Sequence, residues 1–356
     1  MSLLDKIKKN TTIKDSAILS KSKFFNAKDM ITTSIPVVNI ALSGRLDGGL
    51  TPGLTMWAGP SKHFKTAFSL LMAKAYQDKY PESVILFYDS EFGTPQNYFD
   101  SFGIDTERVI HTPLTDIEQL KFDVMSQLTK IERGEKVMII IDSIGNLASK
   151  KEVEDALEGK SVADMTRAKQ IKSLFRMVTP HLNLKDIPMV VVNHTYKTME
   201  LYAKDVVGGG TGSYYSADNI FILGRQQEKD GTEVIGYNFI INVEKSRYVK
   251  EKAKIPVSVT FEGGISKWSG LLDIAIETGS VVKPNQGWYS RVDAKTGEIE
   301  EKKWRSADTD CKEFWTPMLQ SKIFQDKVQA LYQQSSGSIF KDIDVEVPLT
   351  REEDDE

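Results

Sequence analysis

Residues 54–66 read L-T-M-W-A-G-P-S-K-H-F-K-T and residues 84–91, after a helical stretch, read V-I-L-F-Y-D-S-E. The first is an apolar strand running into a loop bounded by Gly59 and Lys65-Thr66. The second is a strand that ends in carboxylates. This is the layout of a phosphate-binding loop, in which backbone N–H groups at a helix N-terminus cradle an anion. Gly59, Ser61, Lys62 and Phe64 would line the cradle, Lys65 would neutralise β- and γ-phosphate oxygens, and the Thr66 hydroxyl would hold Mg²⁺. One residue departs from G-x-x-x-x-G-K-[ST]: Phe64 stands where glycine is expected. Phe64 is expected to narrow or re-angle the loop while leaving the lysine and the helix N-terminus in place. Companion residues decide whether the site survives that change.

Outward from the loop, strand-length apolar runs at 54–59, 84–89, 108–112, 137–142 and 188–193 alternate with helical patterns at 65–79, 116–132 and 164–179. That alternation predicts βαβ units and an α/β fold with a mostly parallel sheet. From 219 the pattern changes to β-rich runs at 219–224, 237–243 and 255–261, which predict antiparallel strands extending the sheet. Gly263-Gly264 marks a turn and a boundary. The expected organisation is a short N-terminal arm over 1–35, an α/β core over 36–270, a small C-terminal domain over 271–350 and an acidic tail over 351–356. The arm is polar and basic apart from Phe24-Phe25 and too small for a core of its own, so it packs on this body or on a neighbouring subunit.

At 356 residues the chain can bury a full core, and its balance of 40% hydrophobic and 27% charged residues is that of a soluble globular protein. No apolar run reaches the length of a membrane span, and MSLLDKIKKN lacks the apolar centre of a secretory signal. Cys311 is the only cysteine, which excludes an internal disulfide and a cysteine-rich zinc site and suits a reducing, cytoplasmic compartment. The net charge of −4 would argue against a polyanionic partner if it were evenly spread. Residues 351–356, R-E-E-D-D-E, account for all of it, and the rest of the chain balances to zero. Such a tail either solubilises the protein or competes with a polyanion for a basic groove.

Open α/β sheets bind ligands at the carboxyl ends of their strands. Four strand ends here carry polar groups: the Gly59–Thr66 loop, Asp89-Ser90-Glu91, Asp142-Ser143 and Asn193-His194. A lone aspartate at a strand end is commonly a helix cap, and a lone histidine a plain polar residue. All four in this order on a βαβ scaffold point to ATP bound with Mg²⁺. Asp142 supports the metal, Glu91 polarises the attacking water, and Asn193 or His194 senses the γ-phosphate.

The stretches G-P-S-K-x-F-K-T, F-Y-D-S-E-F-G, R-G-E-K-V-M-I-I-I-D-S-I-G-N-L-A-S-K-K and V-G-G-G-T-G-S-Y-Y-S-A-D resemble the RecA-family strand-exchange recombinases, in particular their T-even-type phage branch, from about Lys23 to Trp315. The resemblance implies a RecA-like P-loop ATPase that forms helical filaments on single-stranded DNA and exchanges strands with homologous duplex DNA. It also implies two DNA-binding loops, at roughly 151–163 and 195–212, and work alongside a single-strand-binding protein and a mediator. Between these loops Lys169, Lys172 and Arg176 share one helix face, while Ile171, Leu174, Phe175 and Val178 share the other. The basic stripe is either a solvated face or a set of DNA-phosphate contacts, and the resemblance favours contacts to DNA by Lys169, Arg176, Gly209 and Gly210. It further implies that Lys245 and Arg247 reach a neighbour's γ-phosphate as cations supplied in trans, and that Tyr98 stacks on adenine. The arm would pair with the next subunit's sheet, with Phe24 or Phe25 as anchor, giving an open helical filament. Two rivals remain: a ring-forming replicative helicase on the same ATPase core, and a DNA-coating scaffold that uses ATP only as a binding switch.

Overall fold

The computed structural model describes residues 2–13, 15–24, 28–159, 165–199 and 203–334. Phe25, residues 160–164 of the first expected DNA loop and the acidic tail lie outside them. In the arm, α1 (Leu3–Asn10) starts at a capping box in which Ser2 and Asp5 satisfy each other's backbone N–H groups. Among the described residues the arm holds no strand before an isolated bridge of Ile31 to Leu50.

The core runs α2 (Pro36–Ser43), β1 (Gly53–Ala58), α3 (Lys65–Lys79), β2 (Val84–Asp89), α4 (Gln96–Ser101), β3 (Val109–Pro113), α5 (Ile117–Lys130), β4 (Val137–Asp142), α6 (Lys150–Leu157), α7 (Thr166–Lys185) and β5 (Pro188–Asn193). A small hairpin, β6 (Thr195–Lys197) with β7 (Asp205–Val207), then α8 (Thr211–Ser216), lead to β8 (Asn219–Asp230), β9 (Glu233–Ser246), β10 (Lys254–Thr260) and β11 (Gly264–Ile265). The nine-stranded sheet has the order β11-β10-β9-β8-β1-β5-β4-β2-β3. Strands from β8 to β3 pair in parallel, and β8 to β11 extend the sheet in antiparallel fashion.

Strand alternation sorts the core into two apolar layers. In β4, Met138 and Ile140 face one layer and Ile139 and Ile141 the other. Trp57 and Phe87 join the first pair, with α2 and α3; Met56 and Tyr88 join the second, with α5 and α7. Burial on both faces is why V-M-I-I-I reads as an unbroken apolar run. On α5, Asp116 caps by accepting the Gln119 N–H, and Ile117, Leu120, Val124 and Leu128 form the buried stripe.

After the sheet come α9 (Leu271–Glu277), the three-stranded β12 (Val281–Asn285), β13 (Trp288–Arg291) and β14 (Trp304–Arg305), then α10 (Lys312–Gln320) and α11 (Lys322–Tyr332). Phe314, Trp315, Phe324 and Val328 enter the same apolar layer as Trp57. Lys250, just past β9, donates from Nζ to the carbonyls of Ala330 and Leu331, tying the end of α11 to the sheet.

Four expectations need correction. The helix expected over 164–179 continues to Lys185, because Pro180 lies on its exposed side, where the carbonyl that loses its partner meets water. Residues 151–157, expected within the first DNA-binding loop, lie in a helix, Lys150–Leu157, started by the Ser149–Glu152 capping box. The 195–212 segment, expected to be aperiodic, contains the β6–β7 hairpin and the start of α8. The strand expected over 219–224 runs on to Asp230, paired along its length with β9.

Candidate nucleotide site and DNA-facing surface

Strand register levels the site. Ala58 at the end of β1 lies opposite Asn193 at the end of β5, and Asp89 of β2 lies opposite Asp142 of β4. The loop from Gly59 to Phe64 then enters α3 at Lys65. Two of its residues occupy the left-handed region, Lys62 at φ 60° and Phe64 at φ 64°. That region costs an L-residue about 1–2 kcal/mol and suits glycine. Phe64 thus adopts the backbone conformation that glycine would supply. Its ring is taken up by the core, stacked on Phe239 at 5.0 Å and edge-on to Phe68 at 5.7 Å. Lys65 still begins α3, as expected. Ser61 and Lys62 are exposed on the loop, the Lys62 carbonyl accepting from Arg225 Nη1 at 3.1 Å.

Lys65 is buried and donates from Nζ to the Pro60 carbonyl at 2.8 Å. Burial lowers its pKa, against the nearby Glu91 and Asp142 carboxylates. Thr66 Oγ1 donates to Asp142 Oδ2 at 2.6 Å. Asp142 Oδ1 is buried without a hydrogen-bond partner. Burial, with Glu91 and Asp89 close by, pushes the Asp142 carboxyl up to about 6 despite the Thr66 hydrogen bond. A buried carboxylate oxygen left over beside a threonine hydroxyl fits Mg²⁺, which takes few protein ligands and completes its shell with water and phosphate oxygens. Thr66 and Asp142 would hold it.

Glu91 reaches this edge through a turn built by its neighbour. Asp89 Oδ1 accepts the N–H groups of Glu91 at 3.0 Å and Phe92 at 2.8 Å, and its Oδ2 accepts from His111 Nε2 at 3.1 Å. Ser90 Oγ donates to the Ser143 carbonyl at 2.6 Å, locking the ends of β2 and β4 together. His194 Nε2 donates to Glu91 Oε1 at 3.0 Å. That hydrogen bond, outweighing desolvation, holds the Glu91 carboxyl below its usual range, with a smaller contribution from Ser143. Asn193 is fully engaged: its Oδ1 accepts the His194 N–H at 2.8 Å, and its Nδ2 donates to the Gly208 carbonyl at 2.8 Å. Tyr98 is half-buried on α4 against Phe102, with burial raising its pKa and Asp142 adding to the shift.

On α7, Lys169, Lys172 and Arg176 are exposed, and Ile171, Leu174, Phe175 and Val178 are buried. The 208–212 segment crosses this helix closely: a Cβ on Gly212 would lie 2.5 Å from Lys172 Cβ, and one on Gly209 3.2 Å from Ile171 Cδ1. Gly209 and Gly210 hold φ of 89° and 75°. Sequence reasoning gave no role to Asp89, Gly145 or Arg167. Arg167 donates to the carbonyls of Ile144, Gly145 and Leu147, stapling the turn after β4. Asp89 was legible as the first residue of D-S-E; Arg167 gave no signal.

Lys245 and Arg247 are not brought to the loop of their own protomer. Lys245 Nζ donates to the Tyr214 carbonyl at 2.7 Å, and Arg247 Nε pairs with buried Asp218 at 2.5 Å. Asp218 Oδ2 in turn accepts the Leu54 N–H at 2.9 Å. Arg247 therefore sits near the start of β1, roughly 15 Å along the strand from Gly59. In the arm, Phe24 lies under Arg133, 4.7 Å from ring centroid to guanidinium.

A mostly parallel sheet extended by antiparallel strands, with a phosphate-type loop running from β1 into α3, defines a RecA-like α/β fold. Residues 3–266 match the RecA N-terminal domain, and residues 268–328 match the C-terminal domain of the bacteriophage T4 recombination and repair protein. The recombination and repair protein of Enterobacteria phage T4 is 55% identical over 335 residues, covering 93% of this chain and 86% of that protein. Protein RecA of Nocardioides sp. is 24% identical over 273 residues, 75% of each chain. Protein RecA of Bacteroides thetaiotaomicron is 25% identical over 270 residues, 74% of this chain and 79% of that one. The chain therefore belongs to the RecA family of strand-exchange recombinases. Among the described residues, no helix is long and apolar enough to cross a membrane.

Proposed function

We propose that this chain is a DNA-dependent ATPase whose protomers assemble head to tail on single-stranded DNA and pair it with homologous duplex in recombination, repair and recombination-dependent replication. The observation that carries this reading is the side chain of Asn193. It stands level with the phosphate loop and bonds the carbonyl of Gly208, in the segment that packs on α7 against Ala168, Ile171 and Lys172. In this reading Asn193 links the γ-phosphate site to the segment that meets DNA.

Lys65 binds phosphate oxygens, and Tyr98 offers its ring to the base. Mg²⁺, when bound, neutralises charge on the transferring phosphoryl group. Glu91, kept ionised by His194, accepts a proton from the in-line water, and Asn193 with His194 registers the loss of the γ-phosphate. Lys169, Lys172 and Arg176 contact DNA phosphates, which suits a protein that leaves sequence reading to base pairing. Lys245 and Arg247 serve the site of the adjacent protomer. A cytoplasmic setting and partners that load or clear single strands suit such a filament.

The test is ATP turnover with and without single-stranded DNA, with electron microscopy of the same samples. DNA-stimulated turnover and helical filaments support the reading; closed rings favour a helicase, and filaments without turnover a scaffold. Glu91→Gln should keep filaments and ATP binding while lowering turnover by on the order of 10²-fold. Turnover near wild type would remove Glu91 from its role.

A further inference from the structure

The imidazole of His194 lies against the α-carbon of Gly145. A methyl group built there would sit 3.1 Å from His194 Cγ and 2.3 Å from Cδ2, the latter closer than non-bonded carbon atoms approach. Gly145 is not at a positive φ, so its backbone does not require glycine. Nor can the turn retreat from the ring. The Ile144 N–H is bonded to the Val192 carbonyl, and Arg167 Nη2 holds the Gly145 carbonyl at 2.7 Å. The side chain of His194, a third exposed, is the part free to move. What it would leave is its place 3.0 Å from Glu91 Oε1 and 3.5 Å from Ser143 Oγ.

We infer that Gly145 is a positioning residue for ATP hydrolysis: its missing side chain is the space in which His194 lies to hold and orient the water-polarising Glu91. Gly145 touches no reacting group and acts only through His194. The inference rests on the ATPase reading above. It adds a constraint linking the turn after β4 to the turn after β5: the residue at 145 and the residue at 194 must be chosen together.

The test is Gly145→Ala, alone and combined with changes at 194. The backbone at 145 accepts a side chain and the partly exposed ring can swing outward, so unfolding stability should change little. Turnover with single-stranded DNA should fall by about 10- to 100-fold, the scale of a catalytic group misplaced by about 1 Å. In a His194→Ala background, Gly145→Ala should cause no further loss, because the ring it displaces is gone. Gly145→Ala with His194→Gln should recover part of the rate, since an unbranched amide can pass a methyl group and still donate to Glu91. Equal losses in both backgrounds, or full activity of Gly145→Ala, would overturn the inference. A wild-type chain without DNA-stimulated turnover would instead overturn the ATPase reading, so the two failures are distinguishable.

Discussion

Phe64 carries two opposing terms. Its left-handed backbone costs about 1–2 kcal/mol relative to glycine. Its ring, packed on Phe239 and Phe68, returns that and more through aromatic contact and burial. Phe64→Ala removes the ring and keeps the strain; Phe64→Gly removes both. Alanine should therefore be the more damaging change, by about 1 kcal/mol, with losses of about 2–3 kcal/mol for glycine. Urea unfolding of the three proteins measures the order, and a glycine variant less stable than the alanine variant would refute it. ATP affinity should change little in either, since Lys65, Thr66 and the start of α3 stay in place. The loop was legible despite its broken pattern because the pattern encodes a backbone angle, not a residue. Which side chain could tolerate that angle was illegible, because its compensation comes from Phe239, 175 positions along the chain by residue number.

At the scale of elements, α7 carries Lys169, Lys172 and Arg176 on its exposed face and its core residues on the other. Lys169 and Arg176 are exposed and hold no part of the core, whereas Lys172 packs its stem against Gly212. Replacing Lys169 and Arg176 together by alanine should leave the fold unchanged and weaken single-stranded DNA binding uniformly across sequences. The slope of log affinity against log salt should shrink by about 1.4, the release of two counterions from a single strand. An unchanged slope would make the stripe a solvated face. This helix was read correctly from its spacing, but its end was not, because a proline on a wet face does not stop a helix held by Leu182 on the buried side. The polar second half of β8 was equally unreadable. Residues 225–230 carry no apolar alternation, and their strand character comes from hydrogen bonds to β9. The capping box at Ser149–Glu152 was visible in the sequence as S-x-x-E and announces α6 more reliably than the loop expected there.

For the whole molecule, the proposed sharing of Lys245 and Arg247 between protomers is testable from where they lie in one chain. Within one chain both cations are occupied near the start of β1, at the opposite end of that strand from the phosphate loop. A site completed from outside follows if each protomer lends this pair to the next, and a head-to-tail repeat supplies the partner indefinitely. Two variants that are each inactive then test the geometry. Glu91→Gln keeps the cations but has a disabled site; Lys245→Ala with Arg247→Ala keeps the site but has none to lend. Mixed in equal amounts on single-stranded DNA, they should recover about a quarter of wild-type turnover, the share of random neighbours in which an intact site meets an intact pair. Recovery should rise and fall with the mixing ratio and be greatest at equality. A mixture no more active than its parents would confine both functions to one protomer. Arg247 would then have to leave buried Asp218 and cross the length of β1, a movement that exposes or strands a buried carboxylate. The cost of that movement is the physical reason to expect complementation instead.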